Sequence, residues 1–94
     1  MYDLPTIELL ESTHSFPGGY MFKVIGRAEG NFIGRAVAAV RMHLSESVEP
    51  PFSSRKTSNG AHVSVTIEPS VSSAEDVLAI YQTLRDLDGL VMLL

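Results

Sequence analysis

His62-Val-Ser-Val-Thr-Ile-Glu68 alternates without a break. Val63, Val65 and Ile67 point one way; His62, Ser64, Thr66 and Glu68 point the other. A period of two with one apolar and one polar side marks an antiparallel strand whose sheet is covered on one face and solvated on the other. Immediately upstream stands Asn59-Gly60, a two-residue hairpin signal, because both residues tolerate the positive φ of a type I′ turn. The strand that pairs through this turn must lie in residues 45–60. That segment is polar, and Pro50 and Pro51 exclude a central position, so an edge strand or partly a loop is expected.

Working outward, Tyr20-Met-Phe-Lys-Val-Ile-Gly26 reads as the first strand. Lys23 should face water, which turns Phe22 and Val24 to the core. Residues 26–31 form the turn into a helix, with Asn31 as its N-cap. Ile33, Ala36, Val37, Val40 and Leu44 share one helical face, and Arg35 and Arg41 fall away from it. On the other side, Pro69-Ser70 should stop the central strand. Ser72-x-x-Glu75 then has the spacing of a capping box for a second helix with Val77, Ile80, Tyr81, Leu84 and Leu87 inward. Gly89 suits the helix C-terminus, and Leu90-Val-Met-Leu-Leu94 is a last, continuously apolar strand.

The order is β-α-β-β-α-β, two split βαβ units. Right-handed crossovers place both helices on one face of a four-stranded antiparallel sheet. The expected class is α+β, ferredoxin-like, with strand order 4-1-3-2 and the proline-bearing strand at an edge. Residues 20–94 form this single domain. Residues 1–19 are a lead-in, with one helical turn over Thr6–Glu11 ended by Phe16-Pro-Gly-Gly19.

Composition narrows the function classes. A chain of 94 residues is one domain, and 45% hydrophobic with 19% charged content is that of a globular protein. Without cysteine there is no disulfide, thiolate metal site or Cys nucleophile. The start Met-Tyr-Asp-Leu-Pro lacks a basic region followed by an apolar one, and no apolar run approaches the length of a membrane span, so a cytoplasmic protein is expected. A formal charge of −4 disfavours a nucleic-acid-coating role, which needs clustered Lys and Arg.

Several stretches together resemble the YbeD-like bacterial proteins. They are Phe16-Pro17, Phe22-Lys-Val-Ile-Gly26, Val63-Ser-Val-Thr-Ile67, and Tyr81, Leu84 and Leu87-Asp88 leading to Met92. The resemblance spans roughly residues 7–94 and implies a ferredoxin-like fold similar to the ACT regulatory domains. It implies no defined activity and carries no site residues over. The chain departs from the pattern twice. Thr57-Ser-Asn-Gly-Ala61 lacks the aromatic common in that hairpin, and Val91 stands where a basic residue is frequent.

Three groups of residues are candidates for function. Lys23, Arg55, His62, Ser64 and Thr66 should share the open sheet face, where an anionic small molecule or a second subunit would meet them. Gly26, Arg27, Gly30 and Asn31, at the turn after the first strand, are an effector-binding candidate. ACT-type domains bear glycine at this turn, and the amides at a helix N-terminus can donate to a bound carboxylate. Leu90, Val91, Met92 and Leu93 form an apolar edge suited to association. Against each stands a plain structural role: a solvated face, a helix start needing flexible residues, a buried strand. His14, His43 and His62 lack metal-site spacing, and neither metal nor cofactor is expected. No nucleophile elbow is present among the serines. The leading reading is a non-enzymatic, ACT-like regulatory or interaction domain that forms a homodimer or docks on a partner enzyme, with a small anionic effector. The alternatives are an acylphosphatase-like anion-processing enzyme using Arg27 or Arg55, and a sheet that binds single-stranded RNA.

Overall fold

The computed structural model describes residues 4–45 and 48–94. In chain order its elements are α1 (Ile7–Thr13), β1 (Gly18–Gly19), β2 (Phe22–Arg27), α2 (Phe32–Arg41), β3 (Phe52–Lys56), β4 (His62–Ile67), β5 (Ser70–Val71), α3 (Ala74–Arg85) and β6 (Leu90–Leu93). The protein is α+β. Four strands form an antiparallel sheet in the order β3-β4-β2-β6, and β1 pairs with β5 in a small second sheet. Helices α2 and α3 pack on each other and on one face of the larger sheet. Between them lies a core that includes Phe22, Val24, Phe32, Val40, Val65, Ile67, Ile80 and Leu84, all essentially inaccessible to solvent.

The small sheet is a continuation of the large one. Phe22 pairs with Ile67, and Gly19 pairs with Ser70 in the same register. The ladder breaks between them at Pro69, which accepts from the Tyr20 amide at 3.0 Å but has no N–H to return. The first strand therefore runs Phe22–Arg27 rather than Tyr20–Gly26, and Pro69-Ser70 interrupts the β4 line without ending it.

Three other expectations need correction. The helical turn expected over Thr6–Glu11 is a full helix to Thr13, capped by the Thr6 hydroxyl and anchored by the buried Leu10. The cap of α3 is Ser73, not Ser72. Ser73 has extended backbone and its hydroxyl accepts from the Asp76 amide, whereas the Ser72 hydroxyl meets that of Ser45 at 3.3 Å. The β3–β4 turn is not type I′. The Gly60 amide donates to Thr57 O at 2.9 Å, and Gly60, with φ +73, is the one residue of this turn at positive φ. The turn thus centres on Ser58-Asn59 and is closed by the Asn59 side chain, which accepts from Thr57 Oγ1 and the Ala61 amide. The register is nevertheless that of a two-residue turn, with Arg55 opposite Ser64, because the longer loop is symmetric about the same point. Pro50 and Pro51 precede β3, which is the edge strand at one end of the sheet.

At the other end β6 carries a bulge. Ile25 pairs with Met92 but Gly26 pairs with Leu90, so Val91 is the extra residue. Helix α1 docks on α3, and an aromatic chain ties this region together. His14 lies 4.8 Å from the Tyr20 ring, Tyr20 4.9 Å from Phe22, and Phe22 4.9 Å edge-on to Tyr81. The Tyr20 and Tyr81 hydroxyls bond at 3.0 Å.

Candidate functional site

The pairings of β4 with both neighbours set the open face out in rows. Ser53, Thr66 and Lys23 lie side by side across β3, β4 and β2, and Arg55, Ser64 and Ile25 form the next row, continued by Met92 on β6. The helices cover the alternate rows over β4, β2 and β6, such as Val65–Val24–Leu93, and leave this face bare. Lys23, Ser53, Arg55, Ser64 and Thr66 line a shallow concavity of about 430 Å³ together with Ser54. Four of the five open-face residues expected from alternation thus converge. His62 does not line it; it stands one row beyond Ser64, opposite Arg27. Ser53 is an addition. Its signal was present in the sequence, two residues before Arg55 on the same strand, and became legible once the register placed it opposite Thr66.

The electrostatics of this concavity are one-sided. Among the described residues the ion pairs are Arg27–Glu29, Arg41–Glu49 and Arg85–Asp86, all exposed. Lys23 and Arg55 enter none of them, and no carboxylate lines the concavity. Glu68, farther along β4, lines a neighbouring groove. Two free cations and a group of hydroxyls therefore share one surface of a chain whose net charge is −4.

The turn after β2 is differently built. Gly26 lies against the Phe32 ring, and a Cβ there would overlap three ring carbons. Its lack of a side chain accommodates a core residue. The Asn31 side chain accepts from the Gly34 amide, which occupies one free donor of α2. Gly30 O accepts from Arg35 Nε at 2.8 Å, and Arg27 pairs with Glu29 at 3.5 Å. A cleft of about 170 Å³ lies beside the turn, lined by residues including Asn31, Phe32 and Ile33. Gly26, Arg27 and Gly30 do not line it, and Glu29 does. Phe32 was missing from the expected helix stripe, which began at Ile33; the ring is 2% exposed.

At the apolar edge, Leu93 belongs to the core and Leu90 packs on it, while Val91 and Met92 are 47% and 44% exposed. The histidines stay apart. His14 packs against Tyr20 at the end of the aromatic chain, and His43 Nε2 meets Thr83 Oγ1 at 2.7 Å. The Thr83 hydroxyl also lies 3.1 Å from Ala79 O, the carbonyl one helical turn back. No group of three or more His, Cys, Asp or Glu among the described residues is placed to hold a metal. No helix among them is long and apolar enough to cross a membrane. Burial first, then the Tyr20 hydroxyl, raise Tyr81 far above the ordinary tyrosine range.

Comparison with known proteins agrees with this architecture. The chain is 36% identical over 89 residues to a UPF0250 protein of Shewanella woodyi, covering 95% of this chain and 94% of that one. It is 34% identical over 74 residues to a UPF0250 protein of Shewanella amazonensis, covering 79% and 82%. The solution structure of protein HP0495 from H. pylori superposes with a TM-score of 0.64 over 100% of this chain and 98% of that one, at 17% identity, which is a likeness of fold. Residues 11–94 match the family described as "Protein of unknown function (DUF493)", and the chain belongs to that family.

Proposed function

We propose that this chain is a non-enzymatic regulatory or protein-interaction domain of ACT-like type, which self-associates through its sheet and responds to a small anionic effector. Counting only the four strands of the larger sheet, the order β6-β2-β4-β3 reads 4-1-3-2, which supports the ferredoxin-like assignment. The observation that carries the functional reading is the bare sheet face. It joins an apolar corner, Ile25 and Met92, to the free cations Lys23 and Arg55. An apolar patch rimmed by polar groups is the usual form of an association surface. The edge strand β6 bounds it, and the bulge at Val91 is a device that limits uncontrolled edge pairing. Support for catalysis is weaker. The arginines of the acylphosphatase-like alternative stand apart, Arg27 beside Glu29 and Arg55 on β3, and no polar side-chain atom among the described residues is buried without a partner. Sedimentation velocity from micromolar to millimolar concentration tests the reading. A dimer that Met92→Glu converts to monomer is expected; a strict monomer across that range overturns it.

A further inference from the structure

We infer that the concavity formed by Lys23, Ser53, Arg55, Ser64 and Thr66 is a binding site for the phosphate group of a small molecule. This deepens the reading above, on which it rests only for its regulatory purpose. The site is argued from placement. Thr66 and Ser64 stand on the central strand β4, with Lys23 beside Thr66 on β2 and Arg55 beside Ser64 on β3. The two cations thus sit on opposite flanks and in successive rows. Strand spacing and rise separate their Cα atoms by about 12 Å. Two long side chains leaning inward from that distance bracket a single anion over the hydroxyls between them.

Three features select a phosphate over other ligands. First, the donors come from three strands and several directions. This suits a tetrahedral group with three acceptor oxygens better than a flat carboxylate with two. Second, neither cation has a carboxylate partner among the described residues, so binding breaks no ion pair. Of the other arginines, 27, 41 and 85 each stand beside an acid, and Arg35 is held by the carbonyls of Gly30 and Asp88. Third, a polynucleotide is disfavoured. The residues lining the concavity include no aromatic ring on which a base would stack, and the chain as a whole is acidic.

Amide-detected NMR titration of the full chain tests the site. The arms are inorganic phosphate, phosphoserine as a small phosphate monoester, and succinate as a dicarboxylate, with sodium chloride holding ionic strength constant. Saturable shifts are expected at Lys23, Ser53, Arg55, Ser64 and Thr66 with phosphate and phosphoserine, and weaker ones with succinate. Lys23→Ala and Arg55→Ala should each weaken binding by about tenfold, as loss of one charge-assisted contact does. Arg55→Lys should recover part of the loss, and Arg85→Ala should change nothing. Tighter binding of phosphoserine than of inorganic phosphate supports a phosphorylated metabolite; equal binding supports free phosphate. Shifts that do not saturate, that centre on residues 27–31, or that survive both alanine substitutions overturn the site, as does preference for succinate. Sedimentation of the same samples separates the two proposals. A dimer without phosphate binding overturns the site and leaves the association reading standing; saturable binding by a strict monomer does the reverse.

Discussion

Replacing Gly26 by alanine separates two roles for the turn after β2. If Gly26 serves close backbone approach by a ligand, alanine lowers ligand affinity and barely affects stability. If it makes room for Phe32, the effect is on stability. The structure favours the second strongly. The added methyl would overlap three carbons of a ring that is only 2% exposed. The Arg35 guanidinium lies 5.6 Å from the ring centre, and a Cβ added at Gly89 would stand 3.8 Å from Phe32 Cδ1, so the ring can yield only toward the cleft beside the turn. Over-packing of this kind costs about 1–3 kcal/mol. Lower chain entropy in the unfolded state returns about 0.4–1 kcal/mol of that. The net loss, centred on about 1.3 kcal/mol, should lower the melting temperature by roughly 5–10 °C in a domain of this size. Urea unfolding followed by circular dichroism gives the free energy, and Phe32→Leu completes a double-mutant cycle. Phe32→Leu alone should destabilise by removing buried ring carbons, but in the Gly26→Ala background it also relieves the overlap. A coupling of about 1 kcal/mol is therefore expected. Unchanged or raised stability in Gly26→Ala, or additivity within about 0.5 kcal/mol, would refute the reasoning.

Ser73→Ala should destabilise by about 1 kcal/mol through loss of the α3 cap, while Ser72→Ala should be nearly neutral; thermal unfolding of the pair decides between the two serines. Gly60→Ala meets open space, so its cost of about 1 kcal/mol comes only from the left-handed backbone, and Gly60→Asn should recover part of it in the same assay. Tyr81 gives a pH dependence. Its proton is held more tightly in the folded chain than in the unfolded one, so above pH ~10 the unfolded state releases it first. The stability from the neutral hydroxyl is complete below that pH and is lost as pH rises toward the folded value. Tyr81→Phe should lower stability at neutral pH by about 1 kcal/mol and flatten this alkaline decline, as read by urea unfolding at a series of pH values.

Periodicity alone was sufficient where one face of an element is buried and the other wet. Strand β4 starts where the alternation starts, at His62, and ends at Ile67, one residue short of Glu68; its register with β3 follows from the Asn59-Gly60 position even though the turn itself has another conformation. The sequence was less legible where a local motif had two spellings. Ser72 and Ser73 both stand three residues before an acid, and only the backbone angles choose between them. It was least legible where the decisive contact is long-range. Gly26 in a turn looks like a ligand loop until Phe32, six residues on, is seen to fill the space above it. The β1–β5 extension escaped for a related reason, since Pro69 breaks the pattern at the point where pairing resumes beyond it. Of the residues that line the concavity, alternation supplied Lys23, Ser64 and Thr66, and the hairpin register supplied Arg55. Ser53 is a small polar residue on a fully exposed strand, where no buried face marks the alternation, and its place two residues before Arg55 became legible only with the register.

The rows of that face also bear on how effector and partner would communicate. Arg55, Ser64, Ile25 and Met92 form one line across four strands, running from a cation through a hydroxyl to two apolar side chains. An anion held at Ser64 is one strand spacing, about 5 Å, from Ile25. A second chain seated on Ile25 and Met92 therefore reaches the rim of the anion site without any change of fold. The sign of the coupling follows from charge. With the site empty, a symmetric partner that brings Lys23 and Arg55 toward their own copies meets like-charge repulsion. A bound phosphate dianion cancels most of it. Linkage makes the effect reciprocal: if phosphate tightens association, association tightens phosphate binding by the same total free energy. This coupling acts at contact range, so salt should weaken it less than it weakens the long-range attraction of anions to the face. On the proposed reading such a domain would need no hinge and no lid, because the sheet itself would be the common floor of both sites.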